Sequence, residues 1–237
     1  MTKSAALPAP AAPRRFDATL PLALEIVPFL EDLIITRRIA PGTKLVELDL
    51  CEQYGISRSP MREAFRLLEA SGLLIRRPRF GVRIAPMTLA NLDQVYTCRV
   101  PLEALAAGAI AGRADRQAAA TLLATCLQRM RKAHRKHDID ASFRANAALT
   151  DALHRECRNP VLATLLDQIN KPALRYRHWA YFEQPALLPL SIESNDLMIA
   201  AIQAGDRARA EAVTRKLVRD AWRLVRQAFV GSGGERQ

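Results

Sequence analysis

The segment Gly55-Ile56-Ser57-Arg58-Ser59-Pro60-Met61-Arg62-Glu63-Ala64-Phe65-Arg66-Leu67-Leu68-Glu69 constrains the fold more than any other part of this chain. It predicts a helix with a polar, cationic start. Ser57 suits the N-cap, where a hydroxyl can accept an orphan N–H of the first turn. Pro60 falls inside that turn, where a missing N–H is harmless. Arg58 and Arg62 stand four residues apart and project from one face. Ala64, Leu67 and Leu68 are expected on the opposite, apolar face. The recognition helix of a helix-turn-helix has this design: its N-terminal residues enter the major groove while its other side packs on the protein. Arginine suits that place because its fork pairs with O6 and N7 of guanine.

The flanking residues extend the pattern. Pro41-Gly42 signals a turn, and Glu47 to Tyr54 predicts a short helix with Leu50 and Tyr54 on one face. Gly55 then supplies the sharp turn, with positive φ, between two helices. Ser71-Gly72 stops the second of them. Leu74-Ile75 and Val82-Arg83-Ile84 read as two short strands, with Pro78 through Gly81 as the hairpin tip. Four arginines (Arg76, Arg77, Arg79 and Arg83) and no acid lie between Ser71 and Ile84. Such a hairpin suits phosphate or the minor groove.

Composition agrees with an anionic partner. The 237-residue chain carries a formal charge of +11, which favours a polyphosphate through counterion release. No run of about 18 apolar residues is present, so no membrane span is expected. Met1 to Phe16 is rich in Ala and Pro, contains Arg14-Arg15 and lacks the apolar stretch of a secretory signal; a disordered leader is expected there. Cys51, Cys98, Cys126 and Cys157 form no CxxC pair and read as reduced thiols of a cytoplasmic protein.

From Thr88 onward the periodicity is helical throughout, with helices expected near 88–112, 115–137, 141–157, 160–182, 186–204 and 206–230. Gly112, Asp138 with Asp140, Asn159-Pro160, Pro185 with Pro189, and Gly205-Asp206 supply the breaks, and Asp115 is placed to cap the second helix. The last helix is expected to bury Ala210, Val213, Leu217, Ala221 and Leu224. The fold class is therefore mostly α: an N-terminal winged helix-turn-helix of three helices plus a small β-hairpin wing, then an antiparallel bundle of about six helices. A bundle core is a recurrent place for a ligand.

Residues from about Ile34 to Ile84 resemble the winged-helix domain of GntR-family bacterial transcription regulators. The family pattern Gly-Val-Ser-Arg-Thr-Pro-Val-Arg-Glu-Ala-Leu is met as Gly55 through Phe65. The stretch from Thr88 to Glu103, with Arg99 four residues before Glu103, resembles the opening of the FadR-type C-terminal domain. The resemblance implies a division into a leader at 1–16, a DNA-binding domain at 17–86, an effector-binding and dimerisation domain at 87–230 and a flexible tail at 231–237. It implies that Arg58, Ser59 and Arg62 contact bases or adjacent phosphates, and that Ser57 and Arg79 sit near the DNA backbone. Leu48 stands where some members carry a further DNA-binding Arg.

Many FadR-type domains hold a divalent metal with one Asp and three His. The corresponding places here carry Asn146, Thr150, Asn195 and Leu217, and no His follows His178. Amides and a hydroxyl are poor transition-metal ligands beside imidazole and carboxylate. No metal or other cofactor is therefore expected. His154, one turn beyond Thr150, is the place for a displaced metal site. His134 and His137 have metal-like spacing but stand in the cationic run Arg131 to His137, which reads as a solvated helix end. The expected pocket binds an effector, an anionic one, through Arg99, Asn146, Thr150 and Asn195. Arg99 also has an intrahelical partner in Glu103.

The resulting expectation is a ligand-responsive, cytoplasmic, homodimeric regulator, a repressor of a metabolic operon, on an inverted-repeat operator in double-stranded DNA. Two other readings compete. A sequence-indifferent basic DNA-binding protein would prefer no palindrome. An enzyme using the bundle pocket would need a nucleophile, a phosphate loop or an acid–base pair, and the sequence offers no such motif.

Overall fold

The computed structural model describes residues 22–78 and 80–231. The expected leader, and the tail beyond Gly231, lie outside the described residues. The chain divides into two compact units at Met87–Thr88.

The first unit is built from α1 (Leu22–Ile35), β1 (Lys44–Leu45), α2 (Glu47–Tyr54), α3 (Arg58–Ala70), β2 (Leu74–Arg77) and β3 (Gly81–Ile84). Its core joins Ile26, Leu30, Leu33 and Ile34 of α1 to Met61, Ala64, Phe65 and Leu68 of α3, closed by Leu50, Leu73, Leu74, Val82 and Ile84. The strands form an antiparallel sheet in the order β1-β3-β2, with Leu45 opposite Val82 and Leu74 opposite Ile84. The hairpin was legible, but β1 was not: two residues are too few to show an alternation. Tyr54 packs edge-on against Phe29 of α1, with ring centroids 5.3 Å apart.

The second unit contains α4 (Leu89–Ala111), α5 (Arg116–Arg135), α6 (Ile139–Glu156), α7 (Pro160–Glu183), α8 (Leu187–Ala204) and α9 (Arg207–Gly231). The six expected helices are present, each with ends within two residues of expectation. Their starts have visible causes. Thr88, Asp138 and Asn159 each accept a first-turn N–H at 2.9–3.1 Å. Asp206 does the same for the N–H of Arg209 at 2.9 Å, after Gly205 takes a left-handed φ of 74°. Asp115 differs. It occupies the N-cap place of α5, but its carboxylate is held by Arg113 at 2.8 Å and Arg158 at 2.7 Å and bonds no helix N–H.

Helix α4 packs against α9, α7, α8 and α6. Ala104, Ala106, Ala107, Gly108 and Ala111 make this approach close, and a Cβ on Gly108 would meet the Glu211 side chain at 2.4 Å. Tyr176 of α7 ties the start of α4: its hydroxyl accepts from the Thr88 N–H and donates to the Thr88 carbonyl, both at 2.9 Å. Ala210 of α9 is buried as expected, and the rest of its buried face, Thr214, Val218, Val225 and Phe229, lies one column round from the expected residues. Val213, Leu217, Ala221 and Leu224 are only partly buried.

Candidate DNA-binding and effector sites

The sequence builds the first site by a left-handed turn. Gly55 has φ 65° and ψ 33°, and its N–H closes on the Cys51 carbonyl. A side chain would be strained there. The turn lets Met61, Ala64, Phe65 and Leu68 of α3 enter the core, so Arg58, Ser59 and Arg62 stand outward. Ser57, Arg58, Ser59 and Arg62 are all exposed. Leu67, expected on the apolar face, is only half-buried, and Met61 with Phe65 fills that role. Ser57 is the N-cap with extended backbone, but its hydroxyl accepts no helix N–H. The first-turn donors of α3 and the Ser57 hydroxyl are thus not used by each other.

Arg62 lies 3.4 Å from Glu47 in an exposed pair, a contact worth about 0–1 kcal/mol and readily exchanged. Arg58 makes no ion pair with a described residue. The wing is less free than its composition implies. Arg76 is held by Glu69 at 2.7 Å and Glu47 at 3.7 Å, and Arg83 donates to the Gly42 carbonyl at 3.0 Å. Arg77 is exposed, as is Phe80 at the tip, at 63 %. Arg79, the expected wing contact, lies outside the described residues. Leu48 is 42 % exposed on α2.

The second site is a cavity inside the helical unit. Arg99 (α4), Asn146 and Thr150 (α6) and Asn195 (α8), expected from sequence to share a pocket, all line it. Arg177 and Tyr181 of α7 join them. Its volume is about 40 Å³. One water needs about 10–15 Å³ on that scale, so the cavity holds roughly three waters or a small polar group.

The charges in this cavity are few and deeply buried. Arg99 forks onto one oxygen of Glu103, Oε1, from Nε at 2.8 Å and Nη2 at 2.6 Å, and both residues are buried. Its guanidinium also lies 4.7 Å over the Tyr96 ring. The intrahelical partner weighed from sequence is therefore real, but burial gives it a weight that a surface pair lacks. Burial pushes the Glu103 carboxyl up, yet the guanidiniums of Arg99 and Arg177 outweigh it and hold Glu103 below the usual carboxylate range. Arg177 donates from Nη2 to the Asn146 amide oxygen and, at 3.2 Å, to Thr150 Oγ1. Its Nη1 is buried without a partner. Burial first, then the like charge of Arg99, pushes Arg177 below its ordinary value.

Burial pushes His154 down to about 4, against the raising effect of Glu103 3.9 Å away. A histidine that folds neutral binds fewer protons than in the unfolded chain, where it titrates near 6.5. Its contribution to stability is complete above pH 6.5 and declines as pH falls towards 4. Acidification from pH 7 to 4.5 should therefore remove about 2–3 kcal/mol through this group. Urea unfolding of a His154→Gln protein at both pH values checks this. Equal acid sensitivity in parent and variant would discard His154 as the source.

The donor set does not fit the metal of related domains. The four places that the resemblance assigns to metal ligands hold two amides, one hydroxyl and the Leu217 side chain. The guanidinium of Arg177 bonds two of those places, Asn146 and Thr150, so a cation already stands there. Among the described residues no group of three or more His, Cys, Asp or Glu is arranged to hold a metal. His134 and His137 end α5, with His137 exposed in a left-handed turn of φ 55°.

Residues 22–84 match the bacterial regulatory proteins of the gntR family, and residues 94–220 match the FCD domain. The chain belongs to the gntR family and carries an FCD domain behind its winged helix-turn-helix. The regulator is 33 % identical over 157 residues to the uncharacterised HTH-type transcriptional regulator YdhC of Bacillus subtilis, covering 66 % of this chain and 70 % of that one. It is 26 % identical over 189 residues to the HTH-type transcriptional regulator McbR of Escherichia coli, covering 78 % and 84 %. The solved McbR structure shares the fold, with a TM-score of 0.75 at 22 % identity over 87 % of this chain and 98 % of that one. The gluconate operon transcriptional repressor of Bacillus licheniformis is 33 % identical over 107 residues, 45 % of this chain and 43 % of that one. The regulator is thus a DNA-binding transcription regulator with a ligand-binding domain.

None of the helices among the described residues is long and apolar enough to cross a membrane. The four cysteines are unpaired; Cys51, Cys126 and Cys157 are buried and Cys98 is exposed.

Proposed function

We propose that the regulator is a cytoplasmic, homodimeric repressor that reads an inverted-repeat operator with α3 and leaves it when a small anionic effector occupies the helical cavity. The exposed first turn of α3, with Arg58, Ser59 and Arg62 raised above a fully packed inner face, carries this reading. Arg58 and Arg62 read base edges; Ser57 and Ser59 bond adjacent phosphates; the wing, through Arg77 and Arg79, meets the backbone. A two-fold operator demands a two-fold protein. Effector and DNA affinities are then coupled reciprocally: each ligand weakens the other by the same factor. Selection from random duplexes, followed by competition with bulk DNA, tests the reading. Enrichment of a palindrome and loss of it in the Arg62→Ala protein are expected; equal affinity for palindrome and bulk DNA would leave only a sequence-indifferent basic binder.

The same cavity favours binding over turnover. General acid–base catalysis wants a group titrating near the working pH. Glu103 is held low by its cations and His154 is pushed to about 4, so neither exchanges protons readily at neutral pH.

Mutation of the wing should act differently from mutation of α3. Arg77→Ala is expected to weaken all sequences alike and to lower the slope of log affinity against log salt by about 1. A salt titration on operator and on non-operator DNA checks this; a loss confined to the operator would instead make Arg77 a base reader.

A further inference from the structure

The cavity contains one cation too many. Glu103 is the carboxylate that meets these groups, and its Oε1 is taken by both forks of Arg99. Among the described residues Arg177 has no ion pair. Its bonds are to neutral oxygens, those of Asn146 and Thr150, and its Nη1 is buried and unpartnered while the residue lines the cavity. Asp151, the neighbouring acid, bonds the Asn170 amide at 3.0 Å. A buried guanidinium in this state is costly unless an anion completes it.

The two oxygens that Arg177 does engage are informative. Asn146 and Thr150 stand where metal-bearing relatives place their first two ligands. A dication there would bind a ligand's oxyanion; a guanidinium supplies the same sign of charge with directed N–H donors.

We infer that Arg177 is a built-in replacement for the metal of related domains, and that its free Nη1 edge binds the carboxylate of a small organic acid, without metal. The inference rests on the reading of this cavity as the effector site, and it moves the anchoring role from Arg99, which is already neutralised, to Arg177. Asn146 and Thr150 position the guanidinium; Asn195 of α8 lines the same cavity and gives the rest of the ligand an amide to bond. A space of about 40 Å³ has room for a carboxylate group.

The test uses the full-length protein in chelator, with acetate, benzoate and inorganic phosphate as probes and chloride holding the ionic strength constant. Thermal unfolding is followed for the parent, Arg177→Met and Arg177→Lys. A carboxylate should raise the parent Tm more than phosphate does. Arg177→Met should fold with a Tm equal to or above the parent's, because an uncompensated buried charge is removed, and should bind the carboxylate about tenfold more weakly or worse. Arg177→Lys should keep the fold and part of the response. An Arg177→Met protein that is strongly destabilised or unfolded would make Arg177 a structural cation. An undiminished carboxylate response in that variant, a parent that answers to phosphate alone or to no probe, or about one zinc retained per chain after loading and desalting would each overturn the inference. Operator binding is measured in parallel. If it persists, the regulator reading stands while the anion site falls; if the parent binds no operator, the reading beneath it has failed instead.

Discussion

A Glu103→Gln protein is expected to lose about 3–5 kcal/mol of folding stability, the usual loss when one partner of a buried ion pair is removed. The amide is nearly isosteric, so packing is retained and the loss is electrostatic. Glu103 accepts two charge-assisted bonds from Arg99 and faces Arg177 and His154 as well. Without it, two buried guanidiniums would line one cavity with no carboxylate bonded to either. Water cannot repair this readily, because Arg99 is only 4 % exposed. The double variant Arg99→Met/Glu103→Gln should recover most of the loss, since replacing both partners by groups of similar volume is often neutral. The pH dependence has a definite sign. The Glu103 carboxyl is held below its unfolded value, so its contribution is present above about pH 4.5 and is lost as pH falls further. Denaturant unfolding at neutral pH checks the first statement. A loss under about 1 kcal/mol, typical of a solvated pair, would contradict the burial of this cluster.

What could be read from the sequence follows from which interactions are local. The recognition helix was legible because capping, turn chemistry and the facing of Arg58 and Arg62 are set within a few residues of chain. Its inner face was less so: Leu67 competes with Met61 and Phe65 for the core, and only packing against α1 decides. The slip on α9 has the same origin. Thr214 is buried at little cost because its hydroxyl donates to the Ala210 carbonyl at 2.8 Å, so a polar residue sits in the apolar column. Arg177 was the hardest to place. The run Arg175-Tyr176-Arg177-His178-Trp179 suits a pocket mouth or a subunit contact equally well, and all five residues are buried in α7. No periodicity signals a buried guanidinium, because what makes it tolerable, the oxygens of Asn146 and Thr150, lies on another helix.

The pair Arg58→Ala/Arg62→Ala should abolish operator recognition while leaving the fold untouched. Each arginine is exposed, and exposed substitutions usually move stability by no more than about 0.5 kcal/mol. If each arginine makes the proposed bidentate contact to a base, worth about 1–3 kcal/mol, the pair should lose up to about 2–6 kcal/mol. That is roughly a 30-fold to 10⁴-fold loss of operator affinity. Affinity for bulk DNA should fall far less, since the wing and the net charge of +11 remain largely intact. The difference separates base reading from charge. If both affinities fall together, the two arginines bind phosphate and specificity lies elsewhere, with exposed Phe80 at the wing tip as the next residue to vary. Glu47 refines the point, since it sits 3.4 Å from Arg62 and 3.7 Å from Arg76. Releasing Arg62 from Glu47 costs at most about 1 kcal/mol, so this pair is no barrier to the proposed base contact.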